Sequence, residues 1–230
     1  MYLWIKSVIS LNNRLHFQAA ATATRALFEL LLDLKLLASD TDGTMISKFH
    51  AFPEVERFRV AKDFVAFSDE HPDVPLKDEH QRKLVELPGK ESQIEEIVVN
   101  HWGRKRNGRP NRPDHWSGMN IRERAKKFGS SYEAKYLYDY RLGCWSSHAG
   151  STNYAGLKEE TLETMFGVAH SLSQRYFLEA TVICAKIMHI SKAVEGFYAI
   201  IDELERVPGA VLTEIQISKI EQAKKEAGLV

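Results

Sequence analysis

Residues 25–34 of the chain read Arg-Ala-Leu-Phe-Glu-Leu-Leu-Leu-Asp-Leu, and their spacing indicates the class of fold. Residues of one helical face recur through and around this run at steps of three and four, at Phe17, Ala20, Thr24, Leu27, Leu31, Leu34 and Leu37. Leu30, Leu32 and Leu36 widen the apolar surface nearly all round, as in a helix at the centre of a bundle. We therefore predict helix from about residue 3 to 38.

The same periodicity predicts helices along most of the remaining chain. They cover about residues 53–69, 76–87, 90–101, 120–128, 130–143, 158–206 and 211–226. Pro53 fits a first helical turn, and Pro88-Gly89 is expected to separate two helices. The chain shows no sustained alternation of period two and no linker long enough to divide domains. We predict an all-α fold, with residues 1–230 forming a single-domain helical bundle.

Residues 102–118 interrupt this pattern with three glycines, two prolines and five basic residues. The basic residues are Arg104, Lys105, Arg106, Arg109 and Arg112. Flanked by Trp102 and Trp116, they could bind a phosphate backbone while exposed aromatic rings stack on bases. The alternative is a solvated, disordered loop whose tryptophans dock on the bundle. We favour docking for Trp116 and nucleic-acid contact for the basic residues.

The composition limits the classes of function. Lys plus Arg equals Asp plus Glu, so the net charge is zero and a nucleic-acid site must rest on local clustering. The two cysteines, Cys144 and Cys184, are too few for a disulfide framework and favour a reduced, cytoplasmic setting. The apolar start is interrupted by Lys6 and is too short for a membrane span.

No cofactor or metal is expected from the sequence. His170 and His189 are nineteen residues apart on one predicted helix, too far for a shared metal site. The chain contains no phosphate-binding glycine loop and no H-E-x-x-H motif.

Four motifs, taken in order, resemble one known family. They are Arg25–Leu34, His115–Ala125, the spaced pair Tyr136 and Tyr140, and Ser146–Thr152. In this order they resemble the bacterial family called domain of unknown function 5677, which looks like a relative of the HEPN helical proteins. The resemblance spans about residues 14–190.

The resemblance implies a helical bundle and, through the HEPN relatives, an activity. Those relatives are often metal-independent endoribonucleases of toxin–antitoxin and phage-defence systems, with an arginine followed closely by a histidine. Arg141 and His148 match this motif. HEPN sites are commonly assembled from two copies, so the resemblance also implies a homodimer, and a toxin would have an antitoxin or other protein partner.

The side chains of Arg141 and His148 suit cleavage of a phosphodiester. An arginine can hold the phosphate, and a histidine can move a proton near neutral pH. Alternatively, Arg141 pairs with Asp139 or Glu29 and His148 caps the end of a helix. Both interpretations stay open at this point.

Arg25 and Glu29 lie four residues apart on one face of an apolar helix. A buried charge is costly unless it is paired, so we expect these two side chains to satisfy each other. Glu29 could in addition orient the side chain of Arg141 or His148 without contacting the substrate itself. Cys144 lies between the two candidate catalytic residues and is interpreted as a packed cysteine rather than a reactive thiol.

The expected function is therefore a HEPN-like metal-independent endoribonuclease, with RNA as its substrate. The alternative is a non-catalytic helical module that binds a nucleotide, a nucleic acid or a protein partner.

Overall fold

The computed structural model of the protein describes residues 1–74, 78–141, 143–144 and 158–189, and all of their side chains except those of Tyr2, Arg14 and residues 78–88. Seven α-helices lie in these ranges: α1 (Tyr2–Ser10), α2 (Phe17–Ala38), α3 (Thr44–Glu70), α4 (Asp78–Trp102), α5 (Ile121–Lys127), α6 (Ser130–Lys135) and α7 (Glu159–Ile187). A 3-10 turn, Arg14–His16, precedes α2, and a π-helix, Tyr136–Tyr140, follows α6.

The predicted all-α fold is confirmed. Within the described ranges the only pairing of strand type is an isolated bridge between Arg104 and Pro110. The predicted helix at 211–226 and the part of the predicted 158–206 helix beyond residue 189 lie outside the described residues.

The chain divides into two compact units. The first contains residues 1–39 and the chain from residue 121 onward, and the second contains residues 40–120. That the whole chain is a single domain stays a prediction.

In the first unit, α2 packs chiefly against α7. Leu27, Phe28 and Leu31 of α2 and Tyr176 of α7 are fully buried in one core. Each such side chain contributes about 1.5–3 kcal/mol through the apolar surface that it removes from water. Leu34 of α2, which belongs to the predicted helical face, is partly buried against this cluster, as are Leu172 and Ile183 of α7. The leucine-rich run of α2 therefore lies at the centre of its unit, as its periodicity predicts.

The prediction of one unbroken helix from residue 3 to 38 is wrong. Helix α1 ends at Ser10, and Leu11 has an extended backbone. The side-chain oxygen of Asn13 then accepts a hydrogen bond from the backbone N–H of Leu15 at 2.9 Å. Asparagine offers the backbone this local partner in place of a helical one, and the chain turns before α2 begins.

The second unit is built on α3 and α4, and the predicted bounds of both helices are wrong. Helix α3 begins at Thr44 rather than at Pro53, because Asp42 accepts a hydrogen bond from the N–H of Thr44 at 2.9 Å and Asp40 accepts one from the N–H of Ile46 at 2.8 Å. These carboxylates satisfy backbone donors that a helix start leaves free. Pro53 lies inside the helix, where it removes one backbone hydrogen bond.

Helix α4 is continuous through Pro88-Gly89, where the sequence predicts a break. The C-terminal half of α4 packs against α3 through Ile94, Val98 and Trp102, together with Val55 and Phe58 of α3. Burial of this apolar cluster offsets the single backbone hydrogen bond that the proline removes.

Candidate functional site

Arg141 directly follows a widened turn of helix. The predicted helix at 130–143 is helical throughout its described part, but residues 136–140 form a π-helix. The backbone N–H of Arg141 donates to the carbonyl of Tyr136, five residues earlier. Such π segments are rare and occur often at functional sites. No local sequence signal predicts this one.

Three side chains form a hydrogen-bonded group, here called the Tyr140 network: Arg25, Glu29 and Tyr140. The Nε of Arg25 lies 3.0 Å from Oε1 of Glu29, as expected for this pair. The hydroxyl of Tyr140 donates to the same oxygen at 2.9 Å. The guanidinium of Arg25 lies 5.3 Å from the centre of the Tyr140 ring. The network therefore fixes the end of the π-helix on α2.

The Tyr140 network keeps its phenol protonated. Burial, followed by the negative charge of Glu29, raises the pKa of Tyr140 far above its usual value. Cys144 forms a further side-chain hydrogen bond with Tyr140, and its own side chain is half-buried, in keeping with a packed cysteine. Tyr140 is thus a hydrogen-bond donor and a structural group rather than a base.

Asp139 is held separately, by α7. The hydroxyl of Tyr176, which is fully buried, donates to Oδ2 of Asp139 at 2.6 Å. Burial raises the pKa of Asp139, while the Tyr176 hydrogen bond and the nearby Arg175 and Lys135 act in the opposite direction. Asp139 also lines a small cavity of about 10 Å³ with Thr24 and Gly143, just large enough for one water molecule.

Arg141 is exposed and forms no ion pair or hydrogen bond with its side chain in the described part of the chain. The two carboxylates that could have neutralised it are engaged elsewhere: Glu29 with Arg25 and Tyr140, and Asp139 with Tyr176. The interpretation that Arg141 pairs with Asp139 or Glu29 is therefore wrong. His148 lies outside the described residues, so its distance from Arg141 and its role stay predictions.

Gly143 brings the helix end close to α2. A Cβ at this position would lie 3.0 Å from the carbonyl oxygen of Ala21 and 3.3 Å from Cβ of Arg25. Real Cβ atoms seldom approach other atoms so closely, and a side chain here would push the helix away from α2. Gly143 is therefore a packing residue behind Arg141.

The first unit contains further ion pairs that the sequence does not predict. The buried Arg124 pairs with Asp33, which joins the segment His115–Ala125 to the run Arg25–Leu34. Glu179 of α7 lies 3.6 Å from Nζ of Lys35 and 3.4 Å from Nζ of Lys135. These partners are far apart in the chain, so no spacing rule could have paired them.

In the second unit, residues 103–111 form a tight turn, here called the basic hairpin. The N–H of Lys105 donates to the carbonyl of Arg109 at 2.8 Å, and the N–H of Asn111 donates to the carbonyl of Gly103 at 2.9 Å. Gly103 and Gly108 have φ values of 74° and 78°, which side-chain-bearing residues rarely adopt. The segment is exposed, as its composition predicts, but it is hydrogen-bonded rather than disordered.

The five basic residues of the candidate nucleic-acid site fall into two groups. Arg104 donates to the carbonyl of Gly108 at 2.9 Å, and Arg112 lies 3.7 Å from Glu95. The side chains of Lys105, Arg106 and Arg109 are exposed and have no ion pair or hydrogen bond within the part of the chain that the structure describes. Two of the cations therefore support the turn, and three are available to an external anion.

The tryptophans on either side of the basic hairpin are buried, so the expectation of exposed stacking rings is wrong. Trp102 is 9% exposed and Trp116 is 5% exposed. The indole N–H of Trp102 donates to the carbonyl of Trp116 at 2.9 Å. A Cβ at Gly118 would lie 2.9 Å from the Trp102 ring, so only glycine fits beside it. Trp116 docks inside its unit as expected, and its ring contacts Phe49.

His170 is a core residue. Its Nε2–H donates to the carbonyl of Leu11 at 3.1 Å, and burial lowers its pKa. Among the described residues no group of three or more potential metal ligands occurs. No described helix is long and apolar enough to cross a membrane.

Comparison with known proteins gives one match. The model of a family of unknown function (DUF5677) matches residues 1–161, a range that includes α2, the basic hairpin, the Tyr140 network and Arg141. Neither a curated protein nor a solved structure matches the chain. Because the match covers more than half of the 230 residues, the protein belongs to the family of unknown function DUF5677.

Proposed function

We propose that this protein is a HEPN-like metal-independent endoribonuclease in which Arg141 holds the scissile phosphate and His148 transfers the proton. The supporting observation is the exposed guanidinium of Arg141, which has no ion pair or hydrogen bond within the described residues, while Glu29 and Asp139 are engaged by other side chains. A guanidinium without a partner among the described residues is suited to a phosphate, which accepts two parallel hydrogen bonds from it.

The rigid setting of Arg141 favours the same interpretation. Tyr140 and Asp139, the two residues before it, are each anchored by a hydrogen bond to another helix. Gly143, two residues after it, packs on the backbone of α2. A side chain on a fixed backbone positions a bound phosphate with little loss of freedom on binding.

In the proposed reaction the 2′-oxygen of the RNA attacks phosphorus and the bond to the 5′-oxygen breaks. The products are a 2′,3′-cyclic phosphate and a free 5′-hydroxyl. His148 of one copy accepts the 2′-hydroxyl proton, while His148 of a second copy gives a proton to the leaving 5′-oxygen. Arg141 stabilises the negative charge that develops on the phosphate. This scheme needs a homodimer, because one Arg–His pair supplies only one of the two proton-transfer groups.

A biological setting follows from the proposed chemistry. A ribonuclease that is active in the cytoplasm would cleave the RNA of its own cell unless it were inhibited. An antitoxin or another protein partner would therefore inhibit it. We place the protein, on this basis, in a toxin–antitoxin or phage-defence system.

The second candidate function is a non-catalytic module that binds nucleic acid. The observation that favours it is the basic hairpin, where Lys105, Arg106 and Arg109 have no partner among the described residues and which contains neither candidate catalytic residue. The two candidates differ in one measurement, the appearance of cleaved RNA.

The test compares cleavage of labelled RNA by the protein and three variants, each measured with and without chelator. His148→Ala should reduce the rate by about 100- to 10,000-fold, the usual contribution of a general acid–base group, and should leave RNA binding intact. Arg141→Ala should weaken both binding and cleavage. Arg122→Ala is the control, because Arg122 is also exposed in the same unit but is already paired with Glu133.

Cleavage by His148→Ala at the parental rate, with contaminating nuclease excluded, would reject the ribonuclease and leave the binding module. Loss of activity in chelator would reject the metal-independent mechanism.

A further inference from the structure

The basic hairpin holds its three available cations on a preorganised turn. The backbone bonds from Lys105 to Arg109 and from Gly108 to Lys105, at 2.8 and 2.9 Å, close the turn on itself. The side-chain amide of Asn111 donates to the carbonyl of Trp102 at 3.2 Å and ties the turn to the end of α4. A ligand that binds here does not have to order the loop first, so less of the contact energy is lost to ordering on binding.

The hairpin also concentrates positive charge. Residues 103–113 contain five basic residues and no acidic one. Arg104 and Arg112 are used within the unit, which leaves Lys105, Arg106 and Arg109 within five consecutive residues. A polyanion of high charge density is the ligand that matches such a cluster, because it places several phosphates within reach of one turn.

The hairpin has no aromatic ring on which a base could stack. Proteins that bind single strands without sequence preference combine cations with exposed aromatic rings, since each stacked base is worth about 1–3 kcal/mol. Here the flanking rings of Trp102 and Trp116 are buried, and residues 103–114 contain no aromatic side chain. A double helix keeps its bases stacked inside and presents phosphates and sugars along its backbone, which is the part that such a surface can contact.

We infer that the basic hairpin binds the sugar–phosphate backbone of double-helical RNA through Lys105, Arg106 and Arg109, without reading base sequence. The inference rests on the proposed function only in taking RNA as the substrate. The substrate class is then a structured RNA with a base-paired stem. The hairpin would bind this stem whether or not the RNA is cleaved.

The test measures binding of the full-length protein to a 2′-O-methyl RNA duplex and to one of its single strands. The 2′-O-methyl group blocks attack by the 2′-oxygen, so binding is observed without cleavage. We expect the duplex to bind more tightly than the strand, with similar affinity for unrelated stem sequences. Replacing Lys105, Arg106 and Arg109 together by alanine should flatten the plot of log K against log salt by about 0.9 for each lost phosphate contact.

Two controls separate this role from a general loss of charge or of fold. Arg112→Ala removes a neighbouring arginine that is paired with Glu95, and should change the slope by less than one contact. Glutamine replacements at Lys105, Arg106 and Arg109 remove the charge but keep a polar side chain longer than that of alanine, and should reproduce the alanine result.

Three outcomes would overturn the inference: tighter binding of the single strand, an unchanged salt slope in the triple variant, or displacement of the duplex by polyglutamate as effectively as by unlabelled duplex. The last would identify the hairpin as a surface for acidic protein. None of these depends on cleavage, so the ribonuclease could fail while duplex binding holds, or the reverse.

Discussion

Two regions of the molecule use charged residues in opposite ways: the interhelical pairs of the first unit and the basic hairpin of the second. In the first unit, polar groups are bound to one another across helices: Arg124 to Asp33, Tyr140 to Glu29 and Tyr176 to Asp139. In the basic hairpin of the second unit, Lys105, Arg106 and Arg109 extend into solvent without a described partner. The first arrangement fixes helices, and the second leaves charge for a ligand.

The difference separates residues that resemble one another in sequence. Arg25 and Arg141 both belong to quoted motifs, yet Arg25 is held by Glu29 while Arg141 is exposed beside the same network. A pairing partner, rather than residue type, therefore distinguishes a structural arginine from a candidate binding arginine. Substitutions can test this distinction through stability, where paired charges should matter and unpaired ones should not.

The largest loss of stability is expected for Arg124→Ala. Arg124 is 3% exposed, and its removal leaves the carboxylate of Asp33 without its cation. Breaking a buried pair by removing one partner costs about 3–5 kcal/mol. Urea unfolding should therefore show a much lower midpoint than for Arg122→Ala, whose exposed pair should contribute less than about 1 kcal/mol. Equal midpoints for the two variants would contradict a structural role for Arg124.

A smaller loss, about 1–3 kcal/mol at neutral pH, is expected for Tyr176→Phe, which leaves Asp139 without its donor. The pKa of Asp139 is raised in the folded protein, so the native state binds more protons than the unfolded state just above pH 3.8. Its contribution to stability is therefore fully present below pH 3.8 and falls as pH rises through the folded pKa. Removing the donor raises that pKa further, so the loss should shrink on acidification.

Urea unfolding of parent and Tyr176→Phe at neutral and at acid pH measures this difference. Tyr138→Phe is the matched control, because Tyr138 is 75% exposed and its hydroxyl has no described partner. If the loss of stability is the same at both pH values, the effect of Tyr176→Phe does not depend on the protonation of Asp139.

The smallest effect on stability is expected for the basic hairpin. Replacing Lys105, Arg106 and Arg109 together by alanine should change the free energy of unfolding by about 0.5 kcal/mol or less, since these exposed side chains make no described bond. Thermal unfolding measures this directly. A loss of stability as large as that of Tyr176→Phe would mean that these cations support the fold. The hairpin would then not differ from the interhelical pairs of the first unit.

Sequence periodicity was sufficient for the helical class and for the central place of α2, because burial on one face repeats with the helical turn. The helix start predicted at Pro53 and the break predicted at Pro88-Gly89 are both wrong, because packing of α3 on α4 outweighs the helix propensity of single residues. The sequence predicts that helix ends near residue 38, but it does not predict that Asp40 and Asp42 begin the next helix through their bonds to Ile46 and Thr44.

The candidate site was only partly accessible from sequence. The Arg25–Glu29 pair follows from its spacing of four residues. The bond from Tyr140 to Glu29 joins residues 111 positions apart, and that from Tyr176 to Asp139 joins residues 37 apart, so both depend on tertiary packing. The exposure of the basic hairpin follows from its glycines and prolines, but the burial of both adjacent tryptophans required the structure.

The π-helix affects where this part of the sequence can lose a residue. A π turn holds one residue more than an α turn, so residues 136–140 accommodate an extra position while the helix on either side keeps its contacts. Loss of one residue there would close the segment into an ordinary α-helix with little rotation of Arg141. The same loss within α6 would rotate everything after it by about 100° and turn Asp139 and Tyr140 away from their partners. Loss of one residue is therefore expected to be tolerated at the π turn before anywhere else in this helix.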